Sequence, residues 1–194
     1  MRNVRAQSIV LDRKNFVDLP VISKCLPEVT PVASEPSQVL SEAMMHVLSY
    51  HLPGGIRLSQ WSLLFTPARD GYSHLTFFEK LENHEETILV IKDTRGYIFG
   101  ALCTEAWRET SNFYGDGYSF VFTFRDGDDL ELYPASGEAD LYMQSDRDGL
   151  IIGGSDNPQQ RASITIANLS QGHSSVSTTY CNERLCSPAM LGSS

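Results

Sequence analysis

Basic residues are scarce: 15 Lys and Arg stand against 24 Asp and Glu, for a net charge of −9. A nucleic-acid surface needs a concentrated cation excess, so that class is disfavoured and a basic partner is the easier match. No apolar run reaches the roughly 18 residues of a transmembrane helix. The four cysteines, Cys25, Cys103, Cys181 and Cys186, lack CxxC spacing and follow no secretory signal. Reduced thiols in a cytoplasmic protein are therefore expected. Two arginines and no acid before Asp12 give the first residues a weak likeness to a mitochondrial presequence. No solenoid repeat and no long low-complexity segment is present.

The densest apolar block runs from residue 70 to 124. Thr87-Ile-Leu-Val-Ile-Lys92 and Tyr97-Ile-Phe-Gly-Ala-Leu102 flank the turn chemistry of Asp93-Thr94-Arg95-Gly96, a β-hairpin pattern. A tight glycine turn over Asn112–Gly117 precedes Tyr118–Phe124, whose aromatics alternate with smaller residues as in a half-buried strand.

Residues 1–36 lack periodicity and contain Leu19-Pro20, Leu26-Pro27, Thr30-Pro31 and Glu35-Pro36, which oppose helix; an extended lead-in or linker is expected. From Ser37, Leu40, Met44, Val47, Leu48 and Leu52 fall on one helical face, stopped by Pro53-Gly54-Gly55. The spacing predicts a strand over Trp61–Thr66, a loop over Pro67–Gly71, and a short helix capped by Ser73 with Leu75, Phe78 and Leu81 inward. Further strands are predicted at 130–133, 141–143, 150–152 and 162–167, ahead of a Ser/Thr-rich stretch. Many short strands predict an α+β, mainly β fold: two packed antiparallel sheets flanked by a few short helices. One domain over 37–188 with a short 189–194 tail is expected.

Candidate chemistry is sparse. Asp126, Asp128, Asp129 and Glu131 crowd one turn, but Leu130 occupies the fifth position of an EF-hand register begun at Asp126. Asp146-Arg-Asp148-Gly149 is shorter still, so solvated acidic turns are expected and no metal. His46, His51, His74, His84 and His173 show no zinc-ligand spacing. The GxSxG elbow is absent, and Gly115-Asp-Gly117 and Gly153-Gly154 do not extend to a phosphate-loop pattern, so no cofactor is expected. A rival enzymatic reading, a weak hydrolase or thiol-dependent antioxidant, would centre on His173, Ser174 and Cys181. Against it, strand neighbours His173 and Ser174 should face opposite ways. Cys103 reads as buried, whereas Cys181 and Cys186, near Arg184, read as the more exposed thiols.

Asp70-Gly-Tyr-Ser leading into a helix, Val90-Ile-Lys-Asp with Phe99-Gly100-Ala101, Phe113-Tyr-Gly-x-Gly before Phe120-Val-Phe, and Gly149-Leu-Ile-Ile-Gly-Gly154 stand in one order. Over about residues 40–188 the chain resembles the TLDc domain family, which includes the oxidation-resistance and TBC–TLDc proteins. The resemblance implies a β-sandwich acting as a non-enzymatic interaction module. Its implied partner is the vacuolar-type proton-pumping ATPase, through peripheral subunits, with oxidative-stress resistance or vesicle traffic as the outcome. Membrane association, vesicular or lysosomal, would then run through a partner. The 194 residues leave no room for a GTPase-activating TBC domain, so no such activity is expected. The matching motif positions are Gly71, Lys92, Asp93, Phe99, Gly100, Phe113, Gly115, Gly117, Phe120, Phe122, Gly153, Gly154, Gly172, Ser174, Asn182 and Leu185, and most look architectural. The chain departs from the family pattern at Ser155-Asp-Asn-Pro158, at Ile166-Ala-Asn168 and at Gln171-Gly172, where the family commonly has His-Gly. It also lacks the family's final strand, so a partner-supplied strand or a shortened isoform of impaired function is a further expectation.

Overall fold

The computed structural model describes the backbone of residues 4–11 and the residues 31–157, 159 and 161–186. Eleven strands form two antiparallel sheets. In chain order the elements are β1 (Val4–Leu11), α1 (Glu42–Ser49), α2 (Gly54–Arg57), β2 (Trp61–Phe65), α3 (Pro67–Asp70), α4 (His74–Leu81), β3 (Thr87–Asp93), β4 (Ile98–Cys103), β5 (Thr110–Tyr114), β6 (Phe120–Phe124), β7 (Leu130–Pro134), β8 (Met143–Ser145), β9 (Gly149–Ile152), β10 (Ile164–Ala167) and β11 (Gln171–Ser174). One sheet has the order β2-β1-β3-β4-β6-β7 and the other β11-β10-β9-β8-β5. The expected two-sheet sandwich with short helices is what forms.

The core has two layers because the middle strands are buried on both faces. Ile88 and Val90 of β3, Ile98 and Leu102 of β4, and Phe120, Phe122 and Phe124 of β6 pack with Leu40, Met45, Leu48, Leu52, Ile56 and Trp61 on the helix side. The alternating partners Leu89, Ile91, Phe99, Ala101, Cys103 and Val121 meet Met143, Leu150, Ile152, Ile164 and Ile166 of the facing sheet. Period-2 alternation divides each strand between these layers, which is why they read as nearly unbroken apolar runs. β6 is buried at all five positions, not half-buried as its alternation suggests, and Tyr118 lies outside it, 78% exposed.

Several boundaries differ from expectation. Val4–Leu11 is not a lead-in: it pairs in register with β2 (Leu11 opposite Trp61) and β3 (Ser8 opposite Leu89), filling the slot between them. The other side of Trp61 is bridged by Ala33, with Trp61 N–H donating to the Val32 carbonyl at 2.9 Å. Pro67–Asp70 forms one helical turn, ended by Gly71 at φ +77°. In α4, Leu81 is buried and Phe78 packs half-buried against the core as expected, but Phe77 is the second fully buried residue and Leu75 is 69% exposed. Ser73 does cap α4, accepting the Thr76 N–H, and Ser41 caps α1 by accepting the Met44 N–H. Asn112–Tyr114, expected in a turn, belongs to β5; the turn begins at Gly115, φ +110°.

At Gly100 a close approach demands glycine. A Cβ there would stand 1.9 Å from the Leu89 carbonyl oxygen and 2.8 Å from the Phe122 ring. Gly100→Ala is expected to cost about 1–3 kcal/mol through overpacking, read as a lower denaturant midpoint at unchanged slope.

Asp70 holds the α3 turn to α4. Its Oδ2 accepts the Thr66 N–H at 2.9 Å, and its Oδ1 lies 3.0 Å from Arg69 Nε and 3.2 Å from Lys80 Nζ. Burial opposes ionisation, but these hydrogen bonds and charges outweigh it and hold the carboxyl pKa at about 2, well below the usual carboxylate range. Because the folded value is depressed, the stabilisation is complete above the unfolded value and is lost as pH falls through the folded one. The wild-type advantage over Asp70→Asn in thermal melting is therefore expected to be full near neutrality, to shrink below about pH 5 and to vanish near pH 2.

Candidate functional site

The site grows from the β10–β11 hairpin. Ile164 and Ile166 point into the sandwich, which turns Thr165 and Ala167 outward. Antiparallel pairing sets His173 beside Thr165 and Gln171 beside Ala167. The connecting turn places Asn168 (φ +49°) and Leu169 (φ +52°) in the left-handed region. Asn tolerates that conformation, whereas Leu169 is a bulkier residue that is held there with its side chain buried in the core.

A polar clamp brings residues 175–186 back along the hairpin. Asn182, almost fully buried, uses its whole amide: Oδ1 accepts from Ser163 Oγ at 2.7 Å and Ser177 Oγ at 3.2 Å. Its Nδ2 donates to the carbonyls of Ser175 at 2.8 Å and Glu183 at 2.7 Å. Next to it, Leu185 is buried and its N–H donates to Ser174 Oγ at 3.0 Å. The clamp holds Arg184 on the wall of an open cleft of about 550 Å³, which Arg161, Thr165, Gln171, His173 and Cys186 also line.

Two of the cations lining the cleft are without carboxylates among the described residues. Arg69, Arg108, Arg125 and Arg147 each hold a carboxylate, and Arg57 lies over the Tyr50 ring. Arg161 and Arg184 are exposed and hold no carboxylate among the described residues. Burial, then Arg161 and Arg184, lower the His173 pKa, which favours the neutral imidazole. Sequence reasoning missed Arg161, although a signal existed: residues 157–182 contain no acid in a chain of net charge −9.

The residues of the rival enzymatic reading do not assemble. His173 is exposed and Ser174 buried, on opposite faces of β11, and the serine oxygen already accepts the Leu185 N–H. Cys181 is exposed at φ +46°, its Sγ 3.6 Å from the Thr178 carbonyl, and does not line the cleft. Cys186 is half-buried; Cys103 is fully buried, and desolvation raises its thiol pKa. Cys25 lies outside the described residues. Of the acidic turn, Glu131 pairs with Arg125 at 2.8 Å, while Asp126, Asp128 and Asp129 are exposed. Asp146 accepts the N–H groups of Asp148 and Gly149 in its own turn. No group of three His, Cys, Asp or Glu suited to a metal occurs among the described residues.

The motif positions mostly serve packing and turns. Asp93 Oδ1 accepts the N–H groups of Arg95 and Tyr97, closing the first hairpin beside exposed Lys92. Phe99, Phe120 and Phe122 are core. A Cβ on Gly154 would meet the Phe113 ring at 2.6 Å, and one on Gly153, at φ +66°, would meet Ser163 and Tyr180. Gly115 backs onto Tyr142, Gly117 is looser, and Gly172 stands against the Thr165 carbonyl. The TLDc domain model matches residues 33–190. The chain belongs to the TLDc family.

This TLDc chain is 33% identical over 125 residues to oxidation resistance protein 1 of Rattus norvegicus, covering 64% of the chain and 15% of that protein. With the Xenopus laevis protein of the same name the figures are 34% over 125 residues, 64% and 14%. Nuclear receptor coactivator 7 of Homo sapiens is 29% identical over 160 residues, covering 81% of the chain and 16% of that protein. The chain thus spans about one seventh to one sixth of the length of the curated relatives it matches.

Because Asn182 satisfies two donors and two carbonyls, Asn182→Ala is expected to lose about 1–3 kcal/mol in chemical denaturation. Faster amide exchange across residues 175–186 should accompany the loss.

Proposed function

We propose that this TLDc domain is a non-enzymatic interaction module that binds peripheral subunits of the vacuolar-type proton-pumping ATPase from the cytoplasmic side. Through that contact it contributes to oxidative-stress resistance or vesicle traffic. The observation that carries the reading is the use of polar groups around the cleft: Ser174 and Asn182 are committed to holding the chain together, while Arg161, Arg184 and His173 are exposed and have no carboxylate partner among the described residues. A surface of free donors over a rigid sheet suits recognition. The oxidation resistance proteins among its relatives support the stress-related outcome. No helix among the described residues is long and apolar enough to cross a membrane, so contact with a membrane-bound pump runs through its peripheral part.

Purified chain, first shown to melt cooperatively, is expected to recover the pump's peripheral subunits from cell lysate while an unrelated acidic protein does not. No recovery from folded chain would remove the pump as partner. Peroxide consumption by the purified protein that disappears in Cys181→Ser would instead establish the thiol enzyme.

A further inference from the structure

We infer that the cleft between Arg161 and Arg184 docks an acidic peptide segment, its carboxylates held by the two guanidiniums and its backbone lying along the outer face of β10 and β11. The inference rests on the interaction-module reading and names the chemistry that the module recognises. Arg69, Arg108, Arg125 and Arg147 hold carboxylates and Arg57 an aromatic ring; Arg161 and Arg184, which line the cleft, hold neither among the described residues. Guanidinium groups form a planar fork that matches a carboxylate, and a free pair across one cleft can take two successive acids.

The cleft's composition narrows the occupant. Thr165, Gln171 and Gln159 offer neutral hydrogen-bonding groups between the arginines, and Ala167, Gly172 and Cys186 add a small apolar floor for the stems of Glu or Asp side chains. No helix end lines it, so the backbone N–H cradle common at phosphate sites is missing among the described residues and carboxylate is the better fit. All the carboxylates of the chain lie outside residues 157–182, and their charge would repel an acidic segment elsewhere and favour its docking beside this acid-free stretch.

The test uses the full chain and a short fluorescein-labelled peptide of alternating glutamate and alanine, read by fluorescence anisotropy. Its control is the same peptide with glutamine for glutamate. The acidic peptide is expected to bind at least about tenfold more tightly than the glutamine peptide. R161Q and R184Q should each weaken it by about tenfold, while R147Q, an exposed arginine elsewhere, should not. Both cleft arginines are exposed, so these variants should keep the wild-type melting temperature. Equal affinity for the two peptides, or wild-type affinity in the R161Q/R184Q double variant, would overturn the inference. So would displacement of the peptide by inorganic phosphate at concentrations where acetate has no effect, because the site would then be a phosphate site. Pump-subunit capture undiminished in the double variant would overturn this docking site while leaving the module intact. Selective acidic-peptide binding without pump capture would leave the docking site standing and remove only the pump.

Discussion

From Thr87 to Ile91 of β3 and along all of β4 and β6, neither face of the ribbon reaches water, and every neighbouring element answers to that. The helices α1 and α2 cover one face through Met45, Leu48 and Ile56, and the five-stranded sheet covers the other through Met143, Leu150, Ile152, Ile164 and Ile166. Such two-sided burial leaves little tolerance for an extra atom, because interiors are packed at crystal-like density. Gly100 marks the tightest point, where the Phe122 ring lies over the backbone that pairs with Leu89 and Val90. The second sheet therefore has a fixed inner face, and its outer face is the one free to carry recognition.

The cleft on that outer face depends on groups that never touch its opening. Arg184 lies in a segment without regular structure, yet it stands between two fully buried anchors, Asn182 and Leu185. Hydrogen bonds buried away from water are costly to leave unmade, so Ser163, Ser177 and Asn182 impose one conformation on residues 175–186. Rigid support of this kind limits the side-chain entropy that a partner must overcome on docking. The acid-free stretch from 157 to 182 completes the contrast with an otherwise acidic molecule.

The hairpin of β3 and β4, the buried Cys103 and the strand β10 were all legible in the sequence, because period-2 patterns bounded by Asp-Thr-Arg-Gly or Asn-Leu-Ser allow few alternatives. The strand β1 was not. Its residues Val4-Arg-Ala-Gln-Ser-Ile-Val-Leu11 mix polar and apolar side chains, and its partners are far away in sequence, so no local pattern announces its place. In α4, Leu81 was legible but Phe77 was not, because Phe77 and Phe78 are adjacent and only packing against Phe65 and Trp107 decides which is fully buried. The resemblance named Ser174, Asn182 and Leu185, but their joint role in seating Arg184 is a three-dimensional fact. The presence of Arg161 and Arg184 in the lining of one cleft joins residues that share no local pattern at all.

The position of β1 also orders the assembly of the molecule in time. Residues 4–11 leave the ribosome long before Trp61–Phe65 and Thr87–Asp93, the two strands between which they lie. Until those strands exist, the segment has nothing to pair with, and until it arrives, the facing edges of β2 and β3 have unmatched N–H and carbonyl groups. Long-range pairing of this kind carries the largest loop-closure cost and slows folding. β1 precedes both of its partners in the chain, and until it is placed between them a nascent chain exposes two strand edges to whatever chaperone or neighbouring chain it meets.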